Sequence, residues 1–263
     1  MVFRRQPAVA GTFYPADQDK LKIMLTHYLS DVSQGKKVPK AIIAPHAGYI
    51  YSAPIAASVY AHLIPASELI SRVVLFGPSH QVGFRGLALS SADEFATPLG
   101  NIAIDTDAVK QLSELSFVEY LDQAHELEHS LEVHLPFLQT VLKEFTLIPL
   151  VAGDASAEQI CQVIELFWGQ SDTLVVISTD LSHFHDYQTA QKLDKETSKI
   201  IEQLQYEKLD GNSACGYVPV RGLLALARKN KLRVKAVDLR NSGDTAGSLN
   251  KNRVVGYGAY VIE

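Results

Sequence analysis

The chain has 263 residues, of which 47% are apolar and 20% charged, and a formal net charge of −5. That composition supports one large core and excludes a disordered chain. The acidic balance argues against nucleic acid as a partner, because the clusters Arg4-Arg5 and Arg228, Lys229 and Lys231 are too short to track a phosphate backbone.

Two cysteines, Cys161 and Cys215, are too few for a secreted disulfide scaffold. The N-terminus carries two arginines with no apolar stretch behind them, unlike a signal peptide. No apolar run approaches the ~20 residues of a membrane span. A cytoplasmic protein with reduced thiols and no membrane partner is expected.

In chain order, KAIIA at Lys40–Ala44 reads as a buried strand and Ala53–Leu63 as a small-residue helix. RVVLF at Arg72–Phe76 is a second buried strand. Leu87–Ser90 and Asn101–Asp105 read as short strands forming a hairpin-like excursion. Thr106–Leu115 is helical with Thr106 as N-cap. Ser130–Lys143 shows Leu131, Leu135, Leu138 and Leu142 at helical spacing. Phe145–Val151 is a strand, Ala155–Trp168 a helix, and TLVVIS at Thr173–Ser178 a third fully apolar strand. Helices over Gln188–Gln205 and Val220–Lys229 follow, then strands over Arg233–Leu239 and Val254–Ile262. The polar, Gly-rich stretch Leu239–Asn252 reads as a loop. Strands alternating with helices predict an α/β fold: residues 1–263 as a single domain, with a mixed, mostly parallel central sheet and helices on both faces.

Three of the apolar strands run into chemistry. KAIIA leads to Pro45-His46, RVVLF to Gly77-Pro78-Ser79-His80, and TLVVIS to Thr179-Asp180-Leu181-Ser182-His183. Ligands of open α/β sheets bind beyond the carboxyl ends of the strands, so His46, His80 and His183 are expected to face one crevice. Converging imidazoles can hold a transition metal, or one can act as a general base steadied by a carboxylate such as Asp180. Cys215, just before a helix, is either a candidate thiolate ligand or a small buried residue. Cys161 falls in an apolar helical pattern and reads as core.

The segment His125-Glu126-Leu127-Glu128-His129 matches the H-E-x-x-H pattern of zinc hydrolases. The next histidine, His134, fits no zinc-protease extension, and the helix is expected to begin only near Ser130. Within the same segment His129 and Glu132, three apart, are candidates for a relay or pocket wall beside His134, or for a solvated face.

The ordered motifs AVAGTFYPAD at residues 8–17, APHAGY at 44–49, GPSH at 77–80, EHSLEVHLPF at 128–137, STDLSH at 178–183, Cys215-Gly216, and Ser242-Gly243-Asp244 leading to VVGY at 254–257 run through nearly the whole chain. Together they resemble the Memo family, whose prokaryotic members are called AmmeMemoRadiSam system protein B and which is similar in fold to class III extradiol dioxygenases. The resemblance implies a metal site of His46, His80 and Cys215, with His183 and Asp180 beside it in catalytic roles. The resemblance places His129, Glu132 and His134 in the surroundings of the site; Tyr49, Tyr51 and Phe184, by their place in the sequence, offer aromatic walls near the histidines. It implies iron or copper, with zinc as a further option, and a small molecule or peptide as the pocket's occupant. It also implies AMMECR1-like and radical-SAM proteins as partners. One departure stands out: where the dioxygenases use a carboxylate, this chain has Cys215. The readings in competition are a metal-dependent, dioxygenase-like oxidoreductase, a non-catalytic metal-handling or peptide-binding protein, and, remotely, a zinc hydrolase.

Overall fold

In a computed structural model that describes residues 2–33, 35, 37–245 and 251–263, the apolar runs become the centre of one mixed sheet. The chain opens with a two-residue strand, β1 (Arg4–Arg5), and then a helix that precedes every expected element, α1 (Gln18–Ser30). The Asp17 carboxylate caps it, accepting from Lys20 N–H at 2.9 Å, and Leu21 and Leu25 bury one face. β2 (Ala41–Ala44) follows, then α2 (Tyr49–Tyr60) and β3 (Arg72–Pro78). α2 begins earlier than the small-residue pattern predicts, directly after Gly48.

The hairpin expected between 87–90 and 101–105 does not form. β4 (Leu87–Leu89) joins the main sheet, while β5 (Glu94–Thr97) pairs with β6 (Gly100–Ala103) in a separate three-stranded sheet completed by β1. Gly100, at φ 126, closes that hairpin in a backbone region open to glycine. α3 (Thr106–Leu112) is capped by Asp105 rather than Thr106: the carboxylate accepts from Ala108 N–H at 3.0 Å. β7 (Val118–Tyr120) and α4 (Gln123–Glu126) come next. The helix expected over 130–143 shrinks to α5 (Leu135–Val141) behind a 3₁₀ turn at Glu132–His134. Pro136 is the reason. Within a longer helix its ring would meet the Glu132 carbonyl, whereas in the first turn its missing N–H costs nothing.

The rest is close to expectation apart from two unexpected elements, β10 and α9: β8 (Thr146–Ala152), α6 (Ala157–Trp168), β9 (Thr173–Ser178), β10 (His183–His185), α7 (Tyr187–Glu202), α8 (Tyr217–Lys229), β11 (Val234–Asn241), α9 (Ser242–Thr245) and β12 (Val254–Ile262). Within the expected loop over 239–252 lie the end of β11 and all of α9; residues 246–250 lie outside the described residues.

The main sheet has the order β10-β12-β2-β9-β3-β8-β4-β7, with β11 also paired to β12. β2, β9, β3 and β8 run parallel, and β12 and β4 flank them antiparallel. Continuous apolar strands are what burial on both faces requires, and α6 and α8 cover β3 and β9 while α1, α2 and α5 gather on the side of β2 and β12. One connected core joins these layers. This is the expected α/β architecture. Among the described residues no helix is long and apolar enough to cross a membrane.

The strand order sets the site. β9 lies between β2 and β3, so the carboxyl ends of three neighbouring parallel strands deliver His46, Asp180 and His80 to one edge.

Candidate functional site

His46 leaves β2 and turns inward, almost fully buried. Its backbone N–H donates to Asp180 Oδ1 at 2.8 Å, which fixes the loop. Its Nδ1 lies 2.6 Å from Ser178 Oγ, and that hydroxyl donates its only proton to the Ser130 carbonyl at 2.7 Å. Ser178 must therefore accept from His46, so Nδ1 carries the proton and Nε2 is left as a lone pair. Burial, with the neighbouring histidines His80 and His129, holds His46 well below the usual imidazole range. It is a neutral ring whose Nε2 electron pair faces Cys215 Sγ at 3.4 Å.

His80 leaves β3 and is held by Glu128 twice: its backbone N–H donates to Oε2 at 2.6 Å and its Nδ1 to Oε1 at 2.9 Å. The same carboxylate accepts from Ser130 N–H at 2.9 Å. Burial alone would depress the His80 pKa, but the hydrogen bond and charge of Glu128, with the charge of Asp180, outweigh it and leave it raised. Conversely, burial works against the Glu128 carboxylate, and its donors from His80 and Ser130 more than compensate, bringing it down to about 2. Gly77 makes the approach possible, since a Cβ there would lie 2.5 Å from Ser130 Oγ.

His129 completes a ring of imidazoles. It stacks on His80 with centroids 4.6 Å apart, and meets His46 edge-on at 5.4 Å; His46 and His80 are 5.1 Å apart. Phe13 backs it at 4.8 Å. Burial lowers the His129 pKa despite Glu128, whose Oε1 is 3.5 Å from its Nδ1.

Cys215 reaches the cluster from the turn before α8. Gly216 lets that turn dock, because a Cβ there would strike the Ser178 carbonyl at 2.3 Å. Asp180 N–H donates to Sγ at 3.3 Å. Burial, reinforced by the charge of Asp180, pushes the Cys215 thiol up to about 12. Burial likewise pushes Asp180 up to about 7, against the pull of the His46 and Ala47 N–H groups and of His80. One donor atom from each of His46, His80 and Cys215 lies within 4.8 Å of the others, and the same holds for His80, Glu128 and His129.

A cleft of about 490 Å³ opens beside the cluster, lined by His129, Asp180, His183, Tyr51, Tyr257 and Arg253 among others. His183, on β10, is thus a wall of the cleft, and the third imidazole packed on His46 and His80 is His129. A second hollow of about 340 Å³ reaches Cys215 from the far side, past Ser79 and Tyr217.

The remaining candidates lie apart from this cluster. Tyr49 is buried and donates to the Val133 carbonyl at 2.7 Å. Glu132 points to the N-terminal segment, accepting from Arg5, from Ala8 N–H at 2.7 Å, Val9 N–H at 3.0 Å and the Tyr14 hydroxyl at 2.6 Å. His134 is buried with one nitrogen 2.9 Å from the Tyr60 hydroxyl and the other without a hydrogen-bond partner. His125, in the zinc-hydrolase pattern, is buried against the Ala88 carbonyl at 3.0 Å, and α4 ends at Glu126, so no helix aligns it with His129. Residues that sequence reasoning did not single out are Glu128, Ser178 and Phe13. Glu128 had a readable signal as the carboxylate next to His129, and Phe13 as part of a quoted motif. Ser178 gave none beyond its place at a strand end.

The chain matches the model of the family described as Memo-like protein over residues 5–261. A MEMO1 family protein of Aquifex aeolicus is 36% identical over 265 residues, covering 96% of this chain and 97% of that protein. Another from Methanosarcina barkeri is 34% identical over 272 residues, covering 98% and 100%. Among solved structures, an uncharacterized protein of Escherichia coli K12 aligns with a TM-score of 0.49 at 11% identity, over 84% of this chain and 98% of that one.

Proposed function

This chain belongs to the Memo family, and we propose that it binds iron or copper, with zinc the third option, through His46, His80 and Cys215, and acts there as an oxidoreductase on a small molecule held in the adjoining cleft. The observation that carries this reading is the commitment of both imidazoles. Ser178 takes Nδ1–H of His46 and Glu128 takes Nδ1–H of His80, so each ring keeps Nε2 as its free donor beside one sulfur. Metal-binding histidines are oriented in this way by hydroxyl, carbonyl or carboxylate partners.

The donor chemistry fits such a metal. Two imidazole nitrogens and a sulfur suit iron, copper or zinc and suit calcium or magnesium poorly. A thiol with its pKa pushed up to about 12 stays protonated alone, and a cation would displace that proton as it does in other thiolate sites. Bound there, iron or copper would supply one-electron chemistry and an electrophilic centre. The protein's own part is to hold the ligands at fixed tautomers, to present His183 and Asp180 to a substrate as acid and base, and to wall the cleft with Phe13, Tyr51 and Tyr257.

The test is elemental analysis of untagged protein purified without oxygen, beside His46→Ala and Cys215→Ala. Near-stoichiometric iron or copper in the wild type, lost in both variants, supports the site. A wild type that takes up none of iron, copper or zinc ends it. His183→Ala then separates the roles: metal retained with oxidation lost supports turnover, and metal retained with oxidation unchanged makes the chain a metal-handling protein.

A further inference from the structure

The outer wall of the cleft is built on an irregularity. Where β10 meets β12 the pairing passes from His183↔Val255 to His185↔Val254, which leaves Phe184 as an extra residue on β10. The bulge puts Phe184 at φ 65, a left-handed backbone that a bulky side chain adopts only where its surroundings impose it. The residue is 58% exposed, so the strain is not offset by burial in the core.

What the ring does is carry Arg253, the residue just before β12. The guanidinium carbon sits 4.3 Å from the Phe184 centroid. Stacking occupies one face of the guanidinium and leaves its edge, the planar fork of N–H donors, open. Arg4, Arg5, Arg72, Arg228 and Arg240 each pair with a carboxylate. Among the described residues Arg253, like Arg85, Arg221 and Arg233, pairs with no carboxylate, and of these four it alone lines the cleft. Both Phe184 and Arg253 line the cleft with His129, Asp180 and His183, and among the described residues Arg253 is the only arginine or lysine that does so. The one carboxylate in that lining, Asp180, is engaged by the His46 N–H.

We propose that Arg253, aimed by Phe184, binds the oxyanion of the cleft's small-molecule substrate, a carboxylate or a phosphate monoester, while the rest of that molecule lies toward His129 and His183. The inference rests on the reading of the cleft as the substrate side of the metal cluster. An edge-on guanidinium fork matches either anion with two parallel hydrogen bonds, and charge-assisted pairs of this kind are the stronger ones.

The experiment is calorimetric titration of the full chain, metal-free and metal-loaded, with benzoate, phenyl phosphate and uncharged benzamide. Wild type is compared with Arg253→Gln, Arg253→Lys and Phe184→Leu. At least one anion binds the wild type, and Arg253→Gln weakens it about tenfold or more. Arg253→Lys, which keeps the charge and loses the fork, recovers only part. Phe184→Leu weakens binding less than Arg253→Gln, and benzamide stays weak throughout. The tighter of the two anions identifies the source of the oxyanion. Benzamide binding as well as the anions, anion binding indifferent to Arg253→Gln, or no anion bound by the wild type would each overturn the proposal. The two readings fail separately. A wild type that takes no metal yet binds an anion through Arg253 removes the metal centre alone. One that takes metal while its anion affinity ignores Arg253 removes this inference alone.

Discussion

Glu128 and Glu132 stand four residues apart in one acidic, histidine-bearing segment, and their exposures are 1% and 0%. Glu128 looks into the His46, His80 and Cys215 cluster, where it holds the backbone and ring of His80 and the backbone of Ser130. Glu132 looks the other way and gathers Arg5, Ala8, Val9 and Tyr14, all from the first turns of the chain. The difference comes from backbone, not from residue type. α4 ends at Glu126, the chain turns through 127–131, and a 3₁₀ turn follows at Glu132–His134. Four-residue spacing means a shared face only along a continuous α-helix. The segment therefore divides into a site half, Glu128 and His129, and a structural half, His125, Glu132 and His134.

The strongest way to break that division is Glu132→Ala. It leaves the Arg5 guanidinium buried without its counter-charge, and strands the Tyr14 hydroxyl and two backbone N–H groups. Removing one partner of a buried ion pair costs about 3–5 kcal/mol, and the orphaned donors add to it. Denaturant unfolding should show this loss, while the molecules that remain folded keep their full metal content. Wild-type stability in this variant would mean that the N-terminal segment is anchored elsewhere.

Next in size is an acid effect. Burial holds His134 neutral, with its pKa lowered to about 3. The unfolded ring titrates near 6.5, so between those values the unfolded chain binds more protons than the fold. Stability is then complete above about pH 6.5 and falls as the pH drops toward about 3, by roughly 5 kcal/mol for this residue over the whole window. Unfolding midpoints at pH 7 and pH 4 should lie closer together in His134→Gln than in the wild type. Equal separation in both would show that the acid sensitivity resides elsewhere.

Glu128→Gln tests the site half. The amide keeps the shape but loses the charge that orients His80, and such outer partners are worth about 10–100-fold in metal affinity. Chelator competition should read that loss with a smaller change in stability than Glu132→Ala. The opposite pattern, intact affinity and a large loss of stability, would move Glu128 to the structural half.

The strand ends explain what could be read in advance. His46 and His80 follow fully apolar runs, and two-face burial makes such runs unmistakable, so their shared edge was legible from residue pattern alone. The role of Cys215 came through family resemblance, because a single cysteine before a helix has no spacing of its own to mark it. His129 was placed near the site, but its stacking on His80 depends on the turn at 127–131, which has no periodicity. Pro136 carried a readable warning against the long helix at 130–143, since its i−4 carbonyl belongs to Glu132. Asp105 was equally readable as a cap, one residue ahead of Thr106. Ser178 was not readable, since its partners lie 132 and 48 residues away in sequence.

That residue supplies the smallest and most discriminating prediction. The Ser178 hydroxyl accepts from His46 Nδ1 and donates to the Ser130 carbonyl, so it links the strand-borne histidine to the turn that carries Glu128 and His129. In Ser178→Ala both groups lose a partner in a buried setting. Stability should fall by about 1 kcal/mol, typical of one net hydrogen bond. Metal affinity should fall only a few-fold, because the imidazole is released from one tautomer rather than removed. The nitrogen resonances of His46 provide the separate readout: wild type should show protonated Nδ1 and free Nε2, and the variant a mixture. If His46 stays in the Nδ1–H tautomer without the serine, the ring is set by its packing against His80 and His129. The hydroxyl would then serve the Ser130 turn alone, and the two halves of the site would be joined by ring contact instead of by this hydrogen-bond chain.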